Sequence, residues 1–550
     1  MKLEAPATST CDVLIIGSGG AALRAAIEAR KGGAEVLLVS KSRIGYGNNT
    51  AMAGGLLCAA TGWREPKDNP ELHIQDTIRG GRFLNHQKMV EVMCQKAGEE
   101  VRAIQENGVP LRKRGNEYSV LWMPGHTYPR SILCQNAIGT DFTLPLRDSA
   151  VKLGTKLIEG VLITRLLMHG KAVAGAFGFD EKGQVHAFHA KATILATGGL
   201  TQIYARTDNA VGTTGDGMAL AYDAGASLAD MEFVQWYPTT LGERGGRGAI
   251  YEILIAREGG KLRNNLGEDI LEKRGITDFV TKTRDVVSRA IAEEIVAGRS
   301  NNGFVTFDLS GIADDRMERL KPSLPVGITK ENRTIPVSPN AHFTCGGVRT
   351  DEETQTGVDG LYASGEVTAG IHGANRIATN AITEIFVFGA IAGRKAAAHA
   401  KHSKASPDAA DVARATEELK HKATSRGDED IEVLRHALKQ TMWDKAGLAR
   451  TKEGLSNALS DIASLTERSR KLSVPDLKAL TGAVRLENML AVSEMVVTAA
   501  IRRTESRGVH YRIDYPNRND KDWLKNILVA RRGDGMEMKD VPVDMAVVKV

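Results

Sequence analysis

Residues Val13 to Ile16 form an unbroken apolar run, the signature of a strand buried on both faces of a parallel sheet. A glycine-rich turn follows, then an alanine-rich helical stretch, then a second apolar run ending at Val39-Ser40-Lys41. The order strand, turn, helix, strand predicts the opening of an α/β nucleotide-binding fold. Further on, "KATILATGGL" (191–200) reads as a strand running into Thr197-Gly198-Gly199, and "GVDGLYASGEVTAG" (357–370) as one ending at Gly365-Glu366. After a linker-like stretch, "KHSKASPDAADV", apolar residues recur at helical spacing from 412 to 505, as in "IEVLRHALKQTMWDKAGLAR". The tail, 506–550, is short and expected to be strand-rich.

The first turn, Gly17-Ser18-Gly19-Gly20-Ala21-Ala22, matches G-x-G-x-x-A in the right context. Gly17 permits the tight turn, Gly19 lets backbone approach a pyrophosphate, and Ala22 lets the helix lie close to the sheet. The helix N-terminus then faces the phosphates. At the end of the second strand, where an acidic residue often holds a ribose, stands Ser40, a hydroxyl. Lys41 and Arg43 suit the 2′-phosphate of NADP, so this turn alone does not separate FAD from NADP. Glycine motifs spread over distant parts of the chain favour FAD in a large flavoprotein.

Bulk composition narrows the class. At 550 residues the chain needs more than one core. A net charge of +5 without a basic run gives no support for a nucleic-acid partner. Cys11, Cys58, Cys94, Cys134 and Cys345 have neither cluster nor zinc spacing, so no metal is expected, and scattered thiols fit a reducing compartment. The start lacks a signal-peptide layout and no apolar run has membrane-spanning length. The expectation is a cytoplasmic protein, meeting the inner face of a membrane only through partner subunits.

Several stretches together resemble the flavoprotein subunits of the fumarate reductase and succinate dehydrogenase family, whose superfamily includes L-aspartate oxidase and adenylylsulfate reductase. They include "LIIGSGGAALRAAIEA", "TTGDGMALAYDAGASLADMEFVQ", "TRDVVSRAI", "NAHFTCGGVRTD", "GLYASGEV", "HGANRIATNAITEIFVFG" and "RTESRGVHYRIDYP", in the family's order across nearly the whole chain. The resemblance implies a Rossmann-like FAD-binding domain (8–242 and 340–402) interrupted by a capping domain (243–339), then a helical domain (412–505) and a C-terminal segment (506–550). It implies FAD contacts at Gly17, Gly19, Gly20, Ala22, Ser40, Lys41, Asp216, Glu366, Asn380 and Ile382, with Asn48, Asn49, Gly54 and Gly55 in "NNTAMAGG". Some relatives attach FAD covalently to a histidine before a Gly-Gly pair. Asn48 stands at that position, so the flavin is expected to be noncovalent.

The resemblance also assigns the chemistry. Arg284 matches the proton-donating arginine, Arg376 the arginine that grips a substrate carboxylate, and His342 a histidine bonded to the same substrate. Arg289 is expected as a surface arginine, and His372 as a residue shaping the loop near the flavin. Two positions depart from the pattern. Tyr237, in "QWYPTTL", stands where a histidine holds a second carboxylate. Glu252-Ile253 stand where the family has Thr-Glu, and Glu252 joins Tyr237 as a substrate-side candidate. The expected activity is hydride transfer between flavin N5 and a C–C bond next to a carboxylate, with an altered second-carboxylate pocket. The electron partner is expected to be an iron–sulfur subunit. The alternatives are an L-aspartate-oxidase-like or adenylylsulfate-reductase-like flavoenzyme, or an electron relay without substrate turnover.

Overall fold

In the computed structural model, which describes residues 3–241, 258–277, 282–320, 328–533 and 535–549, the first apolar run lies at the centre of a long strand. This strand, β1 (Ala7–Gly17), runs parallel to β2 (Val36–Ser40) on one side and to β3 (Val185–Ala196) on the other. Val13, Leu14 and Ile15 are wholly buried, which explains why the run lacks polar alternation. Among the described residues the sheet has seven strands: beyond β2 lies Lys156–Glu159, and beyond β3 lie the antiparallel pair Ala172–Asp180 and Val161–His169. The short strand Leu361–Ala363 pairs parallel to β3, placing the turn at Glu366 beside the first glycine turn. Helix α1 (Gly20–Lys31) follows β1 and packs against the long helix near residue 390.

Two strands carry the chain out of this domain and back. They are β4 (Val234–Leu241) and β5 (Thr334–Thr344), which pair antiparallel, with Trp236 opposite Ala341 and Tyr237 opposite Asn340. Val305–Asp308 and Lys261–Arg263 extend the pair into a four-stranded antiparallel sheet. Against β4 lies α2 (Arg284–Val296), fixed by a hydrogen bond from Ser288 Oγ to the Trp236 carbonyl at 2.9 Å. Helix α3 (Asn380–Ala400) returns beneath the glycine turn. Four helices follow, Ala409–Ala423, Ile431–Ala446, Lys452–Ser469 and Leu477–Arg502. The tail forms an antiparallel hairpin, Lys525–Arg532 with Gly535–Pro542, that pairs with Leu228–Ala229.

Neighbouring residues on β4 point to opposite faces. Trp236 turns inward, edge-on to Tyr204 and Trp443 at ring separations of 5.1 and 5.5 Å. Tyr237 turns toward a cavity between the sheet domain and the outward excursion.

Candidate active site

The cavity has a volume of about 690 Å³. One end is backbone-rich. Gly17 has φ 151°, and a Cβ there would lie 2.1 Å from the Ala196 carbonyl oxygen, so only glycine lets β1 and β3 stay in register as the chain turns. Gly19 precedes α1 and offers no side-chain cap to the helix, whose first N–H, that of Gly20, donates instead to Thr50 Oγ1 at 3.2 Å. A Cβ on Gly20 would sit 2.6 Å from Ile385 Cδ1. The floor is therefore bare main chain at a helix N-terminus, which suits a pyrophosphate.

Along the middle, Lys41 Nζ pairs with Asp216 and donates to Thr214 Oγ1 at 3.0 Å. Burial pushes the Asp216 carboxyl up, but Lys41, Asn488 and Thr214 outweigh it and hold the group below its ordinary range. Asn488, which belongs to the helix Leu477–Arg502, reaches Asp216 Oδ1 at 3.1 Å, so the helical region supports this wall. Ser40 faces the cavity with its Oγ accepting from Ser42 N at 3.1 Å. Glu366 accepts from Asn49 Nδ2 at 2.9 Å and from Thr344 N at 3.1 Å. Burial nevertheless lifts its carboxyl to about 7.

The other end is cationic. Arg284 Nη1 and Arg376 Nη2 both reach His342 Nε2, at 2.9 and 3.0 Å. On the far side of the ring, His342 Nδ1 meets Asp208 Oδ2 at 2.7 Å. A guanidinium only donates, so Nε2 carries the lone pair and Nδ1 the proton, which it donates to Asp208. Burial pushes the imidazole below its ordinary range, and the two arginines add to this against the pull of Asp208. His342 is thus neutral at pH 7. Tyr237 packs edge-on against His342 at 5.0 Å between ring centroids.

The family model described as "FAD binding domain" matches residues 12–382, and that described as "Fumarate reductase flavoprotein C-term" matches 435–550. One subunit of the fumarate reductase (CoM/CoB) of Methanothermobacter marburgensis is 36% identical over 535 residues, covering 95% of this chain and 97% of that protein. The succinate dehydrogenase flavoprotein subunit of Coxiella burnetii is 31% identical over 567 residues, covering 95% and 94%. Among solved structures, FrdA of E. coli quinol fumarate reductase superposes with a TM-score of 0.89 at 29% identity, covering 98% of this chain and 97% of that one. The chain belongs to the fumarate reductase and succinate dehydrogenase flavoprotein family. It is an FAD-dependent oxidoreductase, and the glycine floor and the Asp216 wall of the cavity fit FAD.

In this flavoprotein the cavity is lined by Gly17, Gly19, Gly20, Ser40, Lys41, Asn48, Asn49, Gly54, Asp216, Glu366 and Ile382 at the cofactor end, and by Tyr237, Arg284, His342 and Arg376 at the other. Three expected cofactor residues lie elsewhere. Asn380 is wholly buried, its Oδ1 bonded by Cys58 Sγ and His73 Nε2, both at 2.9 Å, and its Nδ2 donating to Thr77 Oγ1 at 2.9 Å. It anchors the start of α3 from behind, and Thr379 and Ile382 line the cavity instead. Ala22 is wholly buried within α1. Gly55 has φ 64° and turns tightly against Ala137-Ile138, where a Cβ would come within 2.5 Å of Ile138 N. Glu252 lies outside the described residues.

Other expectations are resolved locally. Arg289 pairs with Glu293 at 3.0 Å and stacks on Tyr511. His372 is bonded to Glu384 at 2.7 Å and packs edge-on to Phe343. Asn48 caps the short helix Asn49–Met52, accepting from Ala51 N at 3.0 Å, and donates to the Ser18 carbonyl at 3.0 Å. The sequence reading missed Asp208 and Arg82. Asp208 sits in "RTDNA", and only its pairing with a histidine 134 residues away reveals it. Arg82 binds Asp285 Oδ2 at 2.6 Å and Thr283 Oγ1 at 2.9 Å, clamping the start of α2.

Proposed function

We propose that this chain is the flavin-bearing catalytic subunit of an enzyme that saturates or desaturates a C–C bond next to a carboxylate, with a site changed for the far end of the substrate. The observation that carries it is the convergence of Arg284 and Arg376 on one imidazole nitrogen at the end of the cavity. The glycine floor and the Asp216 wall would hold FAD, which when bound would supply hydride transfer.

The protein supplies the rest. Arg376, a planar fork, suits bidentate contact with a carboxylate. Gripping that group draws electron density toward it and polarises the adjacent double bond. Arg284 sits at the same place to give a proton to the neighbouring carbon. A guanidinium is a poor acid toward ordinary bases. The carbon that it faces becomes carbanion-like during reduction, and is then the stronger base. Stacking on Tyr237 holds the Arg284 plane, with the guanidinium carbon 4.4 Å from the ring centroid.

Tyr237 brings a phenol and no positive charge to the place that the resemblance gives to a carboxylate-binding histidine. The favoured substrate is an unsaturated acid whose second end is uncharged, an amide, ring or thioester. Electrons pass to or from a separate iron–sulfur subunit, the partner that the family resemblance implies. The test is Arg284→Lys in FAD-loaded protein. Full flavin content with turnover lowered about 10²- to 10⁴-fold, the usual worth of a placed proton donor, is expected. Substantial activity refutes the role.

A further inference from the structure

Asp208 is held rigidly beside His342. Its turn is stitched to β5 by Thr207 Oγ1 donating to the Ala341 carbonyl at 2.7 Å and by Asn209 Nδ2 donating to the His342 carbonyl at 2.5 Å. Asn209 Nδ2 also donates to Asp208 Oδ1 at 2.9 Å, leaving Oδ2 for His342 Nδ1 at 2.7 Å. The ring is thereby fixed with its Nε2 lone pair facing the two guanidinium groups.

That arrangement suits the protein without substrate and opposes a bound carboxylate. An anion placed between Arg284 and Arg376 meets the lone pair of Nε2, which repels it. Adding a proton to Nε2 turns the ring from acceptor to donor, and the resulting imidazolium needs a counter-charge on its other side. Asp208 stands there already. We propose that Asp208 is a positioning residue that lets His342 take up one proton from solvent when a carboxylate binds, so that substrate and proton bind together. This deepens the reading above and rests on it for the identity of the ligand as a carboxylate.

The charges around the ring support the coupling. Asp208 faces it from the turn, Arg284 from α2, Arg376 from the loop before α3, and the ring of Tyr237 from β4. Without a ligand, burial and two cations disfavour a third cation. A bound carboxylate neutralises the guanidinium side and leaves Asp208 to favour the imidazolium. Without the Asp208 charge, the imidazolium would have no fixed counter-ion on its Nδ1 side.

The experiment is calorimetric titration of oxidised, FAD-loaded protein with crotonate and with fumarate at pH 7, in HEPES and in Tris. These buffers differ in ionisation enthalpy, so the difference in heat counts protons. Close to one proton taken up per carboxylate bound is expected for the natural protein. For Asp208→Asn, uptake near zero and affinity at least tenfold weaker are expected. A purely structural role for Asp208 would weaken binding without changing the proton count. Carboxylate binding by the natural protein without proton uptake overturns the inference and leaves the proposed function standing, as does full uptake in Asp208→Asn. Failure of both acids to bind the natural protein overturns the carboxylate reading and this inference with it.

Discussion

The Arg284 guanidinium lies over the face of Tyr237, 4.4 Å from the ring centroid, while the same ring meets His342 edge-on. Tyr237 thus supports the arginine proposed for proton transfer. A cation over an aromatic face contributes about 0.5–2 kcal/mol, increasing as water is excluded.

Replacing Tyr237 separates its two roles. Tyr237→Leu removes the face beneath Arg284 and is expected to lower kcat about tenfold, in keeping with the loss of one such contact. Tyr237→His adds a group able to carry charge and is expected to raise kcat/KM for fumarate relative to crotonate. Steady-state kinetics with both acids checks this. An unchanged ratio in Tyr237→His returns Tyr237 to simple packing.

Arg82 holds the start of α2 through Asp285 and Thr283, from a loop in which Arg82 itself has φ 57° and Phe83 φ 66°. Left-handed backbone at two consecutive non-glycine residues is costly and persists only where the surroundings enforce it. Arg82→Gln and Asp285→Asn should each lower kcat with FAD retained. Together they should be non-additive by about 1 kcal/mol, within the range for residues in contact. Strict additivity in the double-mutant cycle contradicts the clamp.

Asn48 uses its carboxamide to cap a short helix and tie it to the Ser18 carbonyl. An amide there has no nucleophilic nitrogen to form a covalent bond to the isoalloxazine ring. Acid denaturation followed by filtration should release all of the flavin into solution. Flavin that stays with the polypeptide contradicts this.

The cofactor domain should lose stability in acid through a named group. Burial pushes Glu28 up, but Arg24, Lys31 and Arg394 outweigh it and hold the carboxyl at about 2, from an ordinary 4.5. A lowered folded-state value contributes stability that is present above 4.5 and lost as the pH falls toward 2. Glu28→Gln should lower the unfolding midpoint at pH 7, and its gap to the natural protein should narrow by pH 3. Thermal unfolding across that range checks it, and a constant gap excludes the linkage.

The local elements and their order were readable because each leaves its own mark. Val13 to Ile16 is apolar on both faces because both faces are covered, and Gly17 is glycine because Ala196 leaves no room for a Cβ. Arg284, His342 and Arg376 come from a helix, a strand and a loop far apart in the chain. No spacing rule unites them, and only the family resemblance singled out each one separately. Asp208 escaped because a lone aspartate in a turn has many ordinary uses, and its meaning lies in a contact across 134 residues. The neighbourhood of Asn380 does not reveal its orientation: it adjoins Thr379, which lines the cavity, while its own side chain points back into the protein. Strand alternation divides Trp236 from Tyr237, but the sequence does not say which face is the cavity.

The most direct measurement is anaerobic. The flavin of the purified, FAD-loaded protein is fully reduced without oxygen. It is then mixed with crotonate, with fumarate, and with fumarate whose second carboxylate is replaced by an amide or a thioester, while its absorbance is followed. Rapid reoxidation by an α,β-unsaturated acid, faster with an uncharged second end than with fumarate and lost in Arg284→Lys, is the predicted result. Reduced flavin that no enoic acid reoxidises would contradict the account.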